Sequence, residues 1–170
     1  MSAVKSFKPV SHPTARILIL GSMPGLKSLT AAEYYAHPRN SFWRIMGSIV
    51  GFEPSTSYEA RLTALKQSGI ALWDVLHSCN RTGSLDSAIE GGTRVANDLN
   101  TFLQTHANIE IICFNGMEAE KSFNKYVLPS LNNSNIRYMR LPSTSPAHAG
   151  LTFDDKLLAW SAAINPLRLT

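Results

Sequence analysis

Four short apolar runs punctuate the chain: Ile17–Leu20, Ile70–Leu76, Ile109–Phe114 and Ile136–Leu141. Each is too short for a buried helix and is bounded by turn-forming residues, the pattern of a strand covered on both faces. Between them the apolar positions fall at helical spacing. Ser41–Val50 puts Phe42, Ile45, Met46 and Ile49 on one face. Ser57 caps a segment running to Lys66, with Leu62 and Leu65 inward and Gly69 beyond its end. Val95–Thr105, Met117–Val127 and Phe153–Ala163 also read as helices. Ser78–Gly92 is polar and reads as a loop with a short helical turn near Leu85–Ile89. Residues 1–14 read as an extended arm.

Strands separated by helices form βαβ units, whose strands lie parallel. The expected fold is therefore α/β: a three-layer α/β/α sandwich around a four-stranded, mainly parallel central sheet, with residues 1–170 as one domain. In such sheets ligands bind beyond the carboxyl ends of the strands. The segments that follow the runs are Gly21–Gly25, Asp74–Arg81, Asn115-Gly116 and Pro142–His148, and they collect the Gly, Pro, Ser and Asn residues.

Composition narrows the picture. The chain has 170 residues, 44% hydrophobic and 16% charged, which excludes a disordered chain. Its net charge of +4 suits a polyanionic partner but does not require one. Cys79 and Cys113 match no metal-binding spacing and read as buried thiols of a cytoplasmic protein. No apolar run reaches the ~18 residues of a membrane span, so no membrane association is expected.

Several chemistries fail on the residues. Gly21–Gly25 lacks the Lys-Ser/Thr ending of a Walker loop and the third glycine of a dinucleotide fingerprint. Ser22 and Ser28 lack a nucleophile-elbow context. No carboxylate cluster marks a metal site. What remains is His37-Pro38-Arg39-Asn40-Ser41-Phe42-Trp43, which brings together an imidazole, a guanidinium, an amide and two aromatics. Such groups hold a base, a phosphate and a water.

Taken in order, Gly21-Ser22-Met23-Pro24-Gly25, the His37–Trp43 block, a strand ending at Asp74, and Leu141-Pro142-Ser143-Thr144-Ser145-Pro146-Ala147-His148 resemble the motifs of the uracil-DNA glycosylase superfamily. The similarity is greatest to its hypoxanthine and mismatch-specific branches. The resemblance implies a monomeric enzyme that needs no metal or cofactor and flips a damaged base out of single- or double-stranded DNA to cleave its N-glycosidic bond. Deoxyinosine is the favoured lesion and uracil a second one.

The same resemblance assigns roles. Gly21, Ser22, Met23, Pro24, Phe42, Asp74 and Asn115 would form the base pocket, with Phe42 stacking on the base and Asp74 reading its edge. Arg39, Arg81, Ser143, Thr144, Ser145 and His148 would contact DNA. Tyr34 and Tyr35 would line the pocket wall. Met23 stands where the family usually carries an acid or amide that orients the attacking water, and a thioether accepts hydrogen bonds only weakly. Asn40 is then the catalytic candidate. Leu141 replaces the histidine of the fast uracil enzymes, and Ser145 replaces their wedge leucine, leaving His148 as a candidate wedge.

Each residue also has a plainer reading. Asn40 could cap the helix beginning near Ser41, Phe42 could belong to the core stripe, Asp74 could cap a loop, and Asn115-Gly116 could be a simple turn. Met23 and Leu141 would equally fit a catalytically weak or inactive relative that only binds damaged DNA or nucleotides. A third alternative is an α/β protein holding a small phosphorylated ligand.

Overall fold

The computed structural model describes residues 3–132 and 135–170. In chain order the strands are β1 (Ala3–Lys5), β2 (Ile17–Gly21), β3 (Ile70–Asp74), β4 (Leu76–Asn80), β5 (Val95–Ala96), β6 (Ile111–Asn115) and β7 (Arg137–Leu141). The α-helices are α1 (Leu26–Ala31), α2 (Phe42–Val50), α3 (Tyr58–Gln67), α4 (Leu99–Thr105), α5 (Met117–Tyr126) and α6 (Phe153–Ile164).

The central sheet has the order β3-β2-β6-β7, and all its neighbours are parallel. β2 lies inside the sheet and is buried along its whole length, which explains its unbroken apolar sequence. Successive side chains leave a strand on opposite faces. Leu18, Leu20, Ile112 and Phe114 therefore join one core with Leu99, Phe102 and Phe123 of α4 and α5. Ile17, Ile19, Ile111 and Cys113 join the other with Phe42, Ile45, Leu65 and Trp160 of α2, α3 and α6. Two helical layers thus enclose the sheet, giving the three-layer α/β/α architecture. Gly21 pairs with Asp74 and Asn115 with Leu141, so four strands deliver their last residues to one edge.

The structure departs from the sequence reading in four places. The run Ile70–Leu76 is two strands. The Val75 and Leu76 N–H groups donate to the carbonyls of Gly21 and Ser22 (2.8 and 3.1 Å), and the chain then turns into a second sheet of order β1-β4-β5. Residues expected in the Ser78–Gly92 loop thereby become strand β4. The expected arm is extended but pinned: β1 pairs antiparallel with β4, and Val10 bridges Leu72; residues 1–2 of that arm lie outside the described ones. Val95 and Ala96 form β5 rather than the start of a helix, and α4 begins at Leu99 behind Asp98, whose carboxylate accepts from Thr101 N (3.1 Å). Finally, α1 follows directly on Gly25, in a stretch to which the sequence reading assigns no element; at six residues it is too short to show a periodic stripe.

Candidate active site

A cavity of about 840 Å³ opens over the carboxyl edge of the sheet, within the usual range for small-molecule sites. Gly21, Ser22, Met23, Pro24, Asp74 and Asn115 line it, as does Asn40. A Cβ at Gly21 would fall 2.5 Å from Asp74 Oδ1 and 2.9 Å from the Tyr35 hydroxyl. Only glycine lets these two groups converge there.

Asp74 is buried, and its Oδ2 has no hydrogen-bond partner among the described residues. Such an orphaned buried oxygen is costly unless a ligand satisfies it. Burial pushes its pKa up to about 7, the charge of Asp86 adds to the rise, and the Arg81 guanidinium opposes it. The Tyr35 hydroxyl has Asn115 beside it but completes no hydrogen bond among the described residues. Burial, and then the charge of Asp74, raises its pKa, so it stays a donor.

Tyr35 also corrects an expectation. Phe42 is fully buried and is not part of the cavity wall. Its ring stacks on Tyr35 (centroids 4.1 Å apart, planes inclined by 21°), and Tyr35 lines the cavity in front of it. The helical stripe draws Phe42 into the core. Tyr35 turns outward through a left-handed backbone (φ 54°), strained for a bulky side chain.

Asn40 sits half-buried at the mouth. The N-cap of α2 is Ser41, yet the Asn40 side chain does contribute to the helix start: its Oδ1 accepts from Phe42 N (2.9 Å). An amide oxygen has two lone pairs, so one acceptor site remains for a water. The surrounding loops are laced together. Ser41 N donates to Thr144 O (3.0 Å), Asn115 Nδ2 to Thr144 Oγ1 (2.9 Å), and Thr144 N back to Asn115 Oδ1 (3.0 Å).

Of the expected DNA contacts, Arg39 and His148 are exposed on the rim, and Ser143 and Ser145 are half-buried there. Thr144 is buried and joins loops instead. Arg81 is also no surface contact: it is 1% exposed, donates Nε–H to Gly83 O (2.9 Å), and also donates to Pro24 O. Its sequence neighbours Asn80 and Thr82 are polar, so nothing local announced this burial.

Further residues shape the site without an obvious sequence signal. Asp86 accepts from Ser22 Oγ (2.7 Å) and joins the wall. Lys156 Nζ donates to His148 O (2.7 Å) and Trp160 Nε1 to Pro142 O (2.9 Å), so one face of α6 grips the 142–148 loop at both ends. Here a hint existed: Lys156 interrupts the apolar stripe of Phe153, Leu157 and Trp160. No group of acids, histidines and cysteines among the described residues is arranged to hold a metal ion.

The sequence profile of the Uracil DNA glycosylase superfamily matches residues 8–164. The chain belongs to that superfamily. Two of its relatives are hypoxanthine DNA glycosylases. One, from Methanosarcina barkeri, is 39% identical over 116 residues, covering 68% of this chain and 72% of its own. The other, from Methanosarcina acetivorans, is 34% identical over 145 residues, covering 80% and 90%. The superfamily fold is also met in a solution NMR structure of a candidate uracil DNA glycosylase from M. acetivorans. It superimposes with a TM-score of 0.82 at 32% identity and covers 98% of this chain and 99% of its own. No helix among the described residues is long and apolar enough to cross a membrane.

Proposed function

We propose that this chain excises hypoxanthine from DNA by hydrolysing the N-glycosidic bond of deoxyinosine. The observation that carries the reading is the orphaned Asp74 Oδ2, facing a cavity whose mouth holds Asn40. The names of the two relatives point to the same base.

In this reading the flipped base enters edge-first, its six-membered lactam ring against Asp74 and Tyr35. Tyr35 offers a ring face for stacking, an interaction of about 1–3 kcal/mol. Water held by Asn40 Oδ1 adds to C1′ as the C1′–N9 bond breaks. The bonding electrons leave with the base, and the water's proton passes to solvent. The departing base takes up one proton from solvent, so the products are an abasic sugar bearing a C1′ hydroxyl and free hypoxanthine.

Departure of the base puts negative charge on its ring and carbonyl oxygen. Leu141 supplies no donor for that charge. Asp74, kept neutral up to about pH 7, supplies one through its carboxyl O–H. Asn40 has no useful proton chemistry, so it positions the water rather than activating it. Uracil presents the same N–H and C=O edge and is the second substrate of this reading.

The test is excision from an oligonucleotide with one deoxyinosine, scored as strand scission after alkali. Asn40→Ala is expected to lose about 100-fold or more in rate while still binding the oligonucleotide. Wild-type rates in that variant would remove Asn40 from the mechanism. Lesion binding without excision by the wild-type protein would favour the binding-only relative instead.

A further inference from the structure

Three large apolar side chains stand out of the cavity rim: Leu26 (50% exposed), Leu85 (56%) and Met117 (59%). Holding such groups in water is unfavourable unless something covers them. Cations share the same rim, namely Lys27, Arg39 and Lys121. A rim that carries both apolar groups and cations suits duplex DNA, which offers stacked bases and phosphates.

We propose that Leu85 is the wedge that enters the duplex when the base leaves its stack. The proposal rests on the glycosylase reading and deepens it. A flipped base leaves a gap, and unstacking costs a few kcal/mol; apolar side chains inserted between base steps offset such costs in other DNA-bending proteins. The 142–148 loop offers no large apolar group for this, and His148 there has its carbonyl held by Lys156.

Leu85 has the mount a wedge needs. Its neighbours on both sides are tied to the loop that floors the pocket. Leu26 N donates to Ser84 Oγ (2.8 Å), and Ser22 Oγ donates to Asp86 Oδ1 (2.7 Å). Ala88 N closes the turn onto Leu85 O (3.0 Å), and Arg81 holds Gly83 O from below (2.9 Å). A push on Leu85 is thus transmitted to the pocket floor. Met117 opens helix α5 and Leu26 opens helix α1, so neither crowns a turn.

A wedge matters only where there is a stack to enter. The experiment therefore compares excision of deoxyinosine from duplex and from single-stranded oligonucleotides by wild-type protein, Leu85→Ala and Leu85→Met. Leu85→Ala should lower the duplex-to-single-strand ratio of kcat/KM about tenfold, and Leu85→Met should recover most of it. An unchanged ratio in Leu85→Ala would overturn the wedge, as would equal losses on both substrates. Absence of excision by the wild-type protein on either substrate would instead overturn the glycosylase reading, and the wedge with it. Matching thermal melting of the variants would show that the exposed side chain is not needed for folding.

Discussion

The floor and the mouth of the cavity solve opposite problems. At the floor, Gly21, Asp74 and Tyr35 crowd buried polar atoms together, and Asp74 Oδ2 is left without a protein partner. At the mouth, the Ser41, Asn115 and Thr144 groups pair with one another, and Asn40 Oδ1 is already half-engaged by Phe42 N. The floor keeps its hydrogen-bonding capacity for a ligand, and a protonation equilibrium near neutrality makes it adjustable. The mouth spends its capacity on holding its shape. A preorganised rim around an unsatisfied floor is what a site needs if binding is to order little else.

Gly21→Ala attacks the floor most directly. Its Cβ would fall 2.5 Å from Asp74 Oδ1, so the carboxyl must move. Excision of hypoxanthine is expected to fall about 100-fold, the scale of a 1 Å misplacement. Retained activity would mean that the floor yields without consequence, and the contrast with the mouth would vanish.

Asp74→Asn sharpens the comparison through pH. The folded protein holds the Asp74 proton up to about pH 7, whereas a solvated aspartate carboxyl loses it at its ordinary 3.8. Between those values the native state binds more protons than the unfolded one, so stability falls as pH rises from about 4 to 7 and levels off above that. Asn removes this slope. The melting temperature of Asp74→Asn should therefore gain on wild type as pH rises and keep that gain at pH 8. The wild-type rate should decline above pH 7 as the carboxyl loses its proton. The amide variant, still a donor, should be less active but free of that decline. Parallel pH profiles for the two proteins would refute the role of neutral Asp74.

The smallest effect is expected at the rim. Lys156→Met keeps the buried stem and removes the ammonium that holds His148 O. In the proposed reading this loop positions the DNA backbone and takes no part in bond cleavage, so KM for duplex DNA should rise about threefold with little change in kcat. A fall in kcat alone would move this loop from binding into chemistry.

The main sheet was legible because its strands are short apolar runs, and runs of that kind announce burial on both faces. Asp74, Asn40 and the Gly21 turn were legible for a related reason: strand ends and helix starts fix where they lie. The remainder depended on contacts distant in sequence. Arg81 looks like a surface cation until Pro24 and Gly83 are seen to enclose it. Phe42 and Tyr35 are both aromatics near one helix start, and a single left-handed residue decides which of them reaches the cavity. β5 has two residues, too few for any alternation to show.

The amino-terminal strap has a practical consequence. Lys8 O accepts the Tyr34 hydroxyl (2.8 Å), Phe7 O accepts Trp73 Nε1 (2.9 Å), and Val10 and Leu72 exchange backbone hydrogen bonds (2.8 Å each). These ties reach the residues immediately before Tyr35 and Asp74. Trimming that segment to simplify expression or labelling would therefore loosen two neighbours of the cavity floor at once.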